Sequence, residues 1–195
     1  MKNQYFILLA LLSFSMNMLA QNVEIHPVFD RSENQIKSVD TIPDFQEKEN
    51  KIKLYGTIYE SDGVTPAKNV ILYIEQADVN GDFDLRELDD KTYVHHRAWV
   101  KTDANGQYTL FTFIPGNDRR YNQLQQLFPT ILEPTKSVYD IESFLFDEDP
   151  LLTKLCRKRI LKKSDPTRIL KLSKSDNIYM VKKDIVLDQD KIALK

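Results

Sequence analysis

The stretch YVHHRAWVKTDANGQYTLFTFIPG, residues 93–116, is the most patterned part of this chain. It places two of the three histidines, His95 and His96, side by side, three residues before the single tryptophan, Trp99. HRAWVKT and QYTLFTFI each read as a β-strand, and the Asp103-Ala104-Asn105-Gly106 turn between them predicts a hairpin, since Asn-Gly flanked by alternating apolar residues is a strong short-range hairpin signal. Trp99, Tyr108, Leu110 and Phe113 then read as packing residues. Adjacent residues of a strand point to opposite faces, so His95 and His96 are not expected to reach one ion from regular β structure.

Working outward, KLYGTIYES (53–61) and NVILYIEQA (69–77) add two strands rich in β-branched and aromatic residues. After Pro115-Gly116 the alternation stops, and NDRRYNQLQQLF (117–128) reads as a loop or a short helical segment. SVYDIESFLF (137–146) alternates again. LLTKLCRKRILKKSD (151–165) reads as a short helix or surface loop, and RILKLSK and NIYMVKKDIVL close the chain as two more strands. Many short strands with turn signals between them predict an all-β, antiparallel sandwich.

The 195 residues suffice for one domain with its own core, and the net charge of −2 points to no polyanionic partner such as nucleic acid. Residues 1–20 read as a signal peptide: Lys2, then the apolar run FILLALLSFSMNMLA, then a cleavage-like Ala20/Gln21 junction. This predicts an exported protein, periplasmic or secreted, with no transmembrane anchor. Residues 21–50 are polar and aperiodic and read as an extended leader, 51–190 as the domain, and 191–195 as a tail. Cys156 is the sole cysteine, cannot form an internal disulfide, and is expected to be a buried, inert thiol.

Two further patterns carry chemistry. DVNGDFDLRELD places Asp78, Asn80, Asp82, Asp84 and Asp89 at EF-hand-like spacing for calcium, although Phe83 stands where the loop turn calls for glycine. The run Lys154, Arg157, Lys158, Arg159, Lys162, Lys163 and Arg168 reads as a solvated basic face.

KLYGTIYESDGVTPAKNVILYIEQAD resembles the opening strands of the intradiol ring-cleavage dioxygenase family, an apolar strand leading into Q-x-D-x-x-G. RAWVKTDANGQYTLFTFIPG resembles the family's R-G-W-V-x-T-D-x-x-G-x-Y-x-F-x-T-x-x-P-G core, with Ala98 in place of the glycine. FLFDEDPLLT and YMVKKDIVL are similar to C-terminal strands of a bacterial branch. The resemblance spans about residues 53–190 and implies a prealbumin-like β-sandwich. It also implies a ferric ion held by two tyrosines and two histidines, which takes a catechol as its dianion. At the positions matching those ligands stand Phe83, Asp118, Lys136 and Val138, and no histidine follows His96; Arg97 matches a position lining the family's site. The expectation is a non-catalytic binding or structural module without cofactor, its partner an unspecified small molecule or protein. Two alternatives stay open. One is a ferric dioxygenase of a catechol-like ring with ligands rearranged onto Tyr121, Asp118 and His95 or His96; the other is a calcium-binding surface module.

Overall fold

A computed structural model describes residues 25–89 and 91–188. The expected signal peptide 1–20 and the tail 191–195 lie outside these described residues. The strands run, in chain order, β1 (Val39–Thr41), β2 (Lys51–Tyr59), β3 (Ile71–Gln76), β4 (Leu85–Leu88) and β5 (Lys91–Val94). There follow β6 (Arg97–Lys101), β7 (Gln107–Phe113), β8 (Gln126–Leu132), β9 (Tyr139–Asp140) and β10 (Phe144–Phe146). Helix α1 (Lys154–Lys163) precedes β11 (Ile169–Leu170), β12 (Ser173–Ser175), β13 (Ile178–Lys182) and β14 (Ile185–Val186). No helix among the described residues is long and apolar enough to cross a membrane.

Two sheets face each other. The first has the order β1-β7-β2-β13-β12, with β14 also on β2; the second has the order β11-β10-β8-β3-β6, with β9 on β8. Along β2 every second residue is buried, so Ile52, Leu54 and Ile58 enter the interior. They meet Leu72, Ile74, Ala98, Val100, Leu127 and Ile131 from the second sheet in one core. The sandwich is therefore all-β as expected, but its sheets are mixed: β1 with β7, β13 and β14 with β2, and β10 with β11 are parallel.

The expected β6–β7 hairpin does not form. β6 pairs antiparallel with β3, from Ile71↔Lys101 to Glu75↔Arg97, whereas β7 pairs with β2 in the opposite sheet, from Lys51↔Phe113 to Thr57↔Gln107. The turn itself is as tight as the sequence indicates. Gly106 N–H donates to Asp103 O at 3.0 Å, Gly106 takes a φ of +70°, and Asp103 Oδ1 accepts from the backbone of Asn105 and Gln107. It carries the chain across the sandwich instead of reversing it within one sheet. Both flanking strands bury an apolar face, and each finds its hydrogen-bonding edge on a partner earlier in the chain.

The strand β8 was not legible in residues 117–128. It lies in the middle of the second sheet and contains Pro129, which lacks a ladder donor. The proline sits where the neighbouring edge is broken: residues 126–127 pair with β10 and residues 130–131 with β9, and between them Pro129 O accepts from Ile141 N–H at 3.2 Å.

Residues 25–50 lie across the domain. Val28 and Ile36 are buried against Ile71, Tyr73 and Trp99 on the outer face of the second sheet. β1 then pairs with β7, and Ile42 and Phe45 pack with Phe113. This explains why Ile71–Ile74 are buried on both faces of β3. At the other end of the chain, α1 buries no residue, and Cys156 on it is half-exposed, not the buried thiol expected.

Candidate functional site

A cavity of about 490 Å³ opens on the outer face of the second sheet. Its floor follows from strand register. Tyr73 and Glu75, two apart on β3, share a face, and their partners on β8 are Thr130 and Phe128. Phe83, arriving from the loop before β4, sets its ring 5.6 Å from that of Phe128. His26 and Pro27 form one wall, and Asp140, Ile141 and Ser143 the other. A volume of this order suits a small-molecule ligand.

The cavity joins aromatic surface to a few fixed polar groups. Tyr73 donates its hydroxyl to Glu75 Oε1, and Thr130 Oγ1 donates to Asp140 Oδ1 at 2.6 Å. Burial, and then the Glu75 carboxylate, push the Tyr73 pKa far above that of an ordinary phenol. His26 Nδ1 accepts from Val28 N–H at 3.1 Å, which leaves the ring's proton on Nε2.

Of the residues at the expected iron-ligand positions, only Phe83 lines this cavity. Asp118 is held by Arg120: Oδ1 accepts from its backbone N–H at 2.8 Å, and Oδ2 from Nη2 at 2.9 Å. That guanidinium holds the Asp118 carboxyl below the usual carboxylate range. Lys136 lies in the turn after β8 and pairs with Glu133 at 2.5 Å, and Val138 packs beside Tyr73 and Trp99. These four do not fit a ferric ion. Two offer no donor atom, one is a cation, and one is a carboxylate already bound to a guanidinium. Tyr73 lines the cavity, where its hydroxyl is engaged by Glu75.

Gly81 and Gly116 place the Phe83 and Asp118 loops back to back. Gly116 N–H donates to Asp78 O at 2.7 Å, and a Cβ on Gly116 would stand 2.4 Å from Gly81 N. Tyr121, at the tip of the second loop, is 79 % exposed with Arg120 against its ring. The tip is closed by the Asp118–Gln123 backbone pair, so this stretch is a loop and not a helical turn. Arg97, expected to line a remnant pocket, does not line this cavity. It is stacked over Tyr93 and Trp99 and bonded to Asp30 Oδ2 at 2.6 Å, so the leader covers it.

The calcium pattern does not assemble. Asp78 Oδ1 caps its own loop through the backbone of Asn80 and Asp82, at 2.7 and 3.0 Å, and Asp84 pairs with Arg86. The whole of β4 separates Asp84 from Asp89. In the basic run, Arg157 pairs with Asp147 and Arg168 with Glu142, while α1 as a whole lies at the surface.

The two histidines behave differently from a strand pair. The chain leaves the β4–β5 ladder at His95, whose N–H donates to Asp84 O, and joins β3 at Arg97. Between them Arg97 N–H donates to His95 O at 2.9 Å, a tight bend that turns both rings to one side. His95 Nε2 lies 3.0 Å and His96 Nε2 3.4 Å from Asp44 Oδ2. Burial, and then Lys48 and His95, lower the His96 pKa. Burial raises the Asp44 pKa, but the two imidazoles outweigh it and hold the carboxyl below its ordinary range. The carboxylate beside the histidines is thus Asp44, not Asp118.

Sequence reasoning missed Tyr73, Glu75, Thr130 and Asp140 as cavity residues, and Asp44 altogether. The one available signal was the polar pair Tyr73 and Glu75 on one face of an otherwise apolar strand.

No protein-family profile matches the chain, and no curated protein is similar to it in sequence. Solved structures are similar to it in fold. The dioxygenase domain of a dioxygenase carbohydrate-binding protein fusion from Streptomyces sp. SirexAA-E superposes with a TM-score of 0.57 at 19 % identity, over 78 % of this chain and 88 % of that one. The intradiol ring-cleavage dioxygenase from Tetranychus urticae gives 0.57 at 16 % identity, over 81 % and 89 %. Catechol 1,2-dioxygenase from Pseudomonas arvilla C-1 gives 0.59 at 13 % identity, over 82 % of this chain but only 60 % of the enzyme. The sandwich and these likenesses agree: the chain has the fold of the intradiol ring-cleavage dioxygenases.

Proposed function

We propose that this chain is a divergent, non-catalytic relative of the intradiol dioxygenases, an exported module that binds a small ring-shaped ligand in the cavity over β3 and β8. The observation that carries this reading is the chemistry at the expected ligand positions, where Phe83, Asp118, Lys136 and Val138 provide neither phenolate nor imidazole. The aromatic faces of Phe83 and Phe128 suit a planar or puckered ring, and the carboxylates of Glu75 and Asp140 suit hydroxyl or ammonium donors on it. Export rests on Lys2 and the apolar run 6–20.

The test is to produce the chain under iron supplementation, record its visible spectrum and metal content, and measure melting temperature against catechols and other polyhydroxylated rings. The expected protein lacks a phenolate-to-iron band and is stabilised by at least one such ring, since a ligand that binds only the folded state stabilises by mass action. Phe128→Ala should abolish that stabilisation. A visible phenolate–iron band with oxygen-dependent cleavage of a catechol would sink the reading.

A further inference from the structure

We propose that Asp44, His95 and His96 form a binding site for a first-row divalent cation of the zinc class, apart from the cavity and from Phe83, Asp118, Lys136 and Val138, the positions matching the family's iron ligands. Among the described residues, this is the group of histidine and carboxylate side chains whose ligand atoms converge, all within 4.8 Å of one another. The two nitrogen-to-oxygen separations are close to those of a coordination shell. With bonds of about 2.0–2.1 Å, two ligands of a tetrahedral zinc ion stand about 3.3 Å apart. The observed Nε2–Oδ2 distances are 3.0 and 3.4 Å.

The second observation is His96 itself. It is 2 % exposed, yet neither ring nitrogen makes a hydrogen bond, because the 3.4 Å approach to Asp44 is not aligned as one. Buried polar groups are nearly always satisfied, and a metal ion on Nε2 would satisfy this one. The ring is also prevented from turning away: the Phe113 ring packs edge-on at 5.1 Å and the His95 ring lies 5.1 Å off.

The fold holds the set in place. Asp44 sits in a left-handed conformation, φ 61°, at the start of a turn anchored by buried Phe45. The histidines stand on the bend that leads from β5 into β6. Two imidazoles and one carboxylate form a mixed nitrogen and oxygen set, which suits zinc and its neighbours and not calcium, which calls for an all-oxygen shell. Asp44 is one-third exposed, so the open coordination positions face solvent. Lys48, whose ammonium lies 5.0 Å over the Phe113 ring, is the opposing charge on this side.

The full chain, stripped with a chelator and dialysed, is titrated with zinc by calorimetry, and cobalt is added separately for its ligand-field spectrum. We expect one zinc per chain, a cobalt spectrum of nitrogen and oxygen ligation, and a zinc-dependent rise in melting temperature. Asp44→Asn and His95→Gln, which spare the buried ring, should each weaken zinc binding by at least ~10-fold while the metal-free fold is kept. Lys48→Ala should tighten it several-fold. No saturable zinc uptake, or uptake unchanged in both ligand variants, would overturn the site. So would an equal loss of melting temperature in the variants with and without zinc, since that is the signature of a hydrogen-bonded cluster alone.

Discussion

Trp99 Nε1 donates to the carbonyl of Val28 at 3.0 Å, across 71 residues of sequence. This bond fastens the N-terminal segment to the outer face of the second sheet, where Trp99 stacks 4.9 Å from Tyr73 and Arg31 lies 4.5 Å over the indole. Asp40 adds a second anchor by accepting from Trp99 N–H at 3.0 Å and from Arg31 at 2.7 Å. One wall of the cavity, His26 and Pro27, therefore depends on a contact made by β6.

Trp99→Phe should cost about 1–3 kcal/mol, because it leaves the Val28 carbonyl without its buried donor. Ile36→Ala, which empties a buried site under the same segment, should cost about 2–5 kcal/mol. Chemical denaturation of both variants measures these losses, and limited proteolysis should cut first within residues 25–36.

The hold of the segment is expected to weaken in acid. Asp30 accepts from Lys91 and Arg97, and although burial raises its pKa, these two cations bring it below the ordinary value of 3.8. The stabilisation is complete above that pH and is lost as pH falls through the lower folded value. Thermal melts from about pH 5 down to pH 2 should show wild type losing more stability than Asp30→Asn, which carries no such titration.

Gly116→Ala should destabilise by about 1–3 kcal/mol or more, since the new methyl meets backbone on every side and no flexible side chain can yield. The nearest atoms are Gly81 N at 2.4 Å, Val79 O at 2.5 Å and Asn80 C at 2.6 Å. A denaturation midpoint equal to that of wild type would refute the close packing of these two loops.

Gln76 is fully buried and joins the sheets, donating to Phe113 O at 3.2 Å and accepting from the Thr112 hydroxyl. Gln76→Leu should cost about 1–3 kcal/mol for each group it orphans. Adding Thr112→Val should recover part of the loss, and a double-mutant cycle on denaturant midpoints reads out that coupling.

What the sequence determined was local. Alternation marked β6 and β7, β-branched and aromatic content marked β2 and β3, and Asp103–Gly106 marked a tight turn, because side-chain period, composition and turn chemistry are properties of a few consecutive residues. The residues at the positions matching the family's iron ligands were legible as well, since no histidine follows His96 and Phe83 lacks a phenol oxygen. Pairing was not. Alternation says which face of a strand is buried but not which edge finds which partner, so β6 and β7 joined opposite sheets instead of each other. The central strand β8 was hidden because both its faces are covered in part and it contains Pro129, tolerated only beside a break in the neighbouring edge. The polar segment 25–50 gained its place from contacts with Tyr73, Trp99 and β7, none near it in sequence. Asp44 likewise met His95 and His96 only after β5 handed the chain to β6 through a bend, where successive side chains no longer point to opposite faces. Such juxtapositions arise from long-range closure of the sandwich, which no short window of sequence encodes.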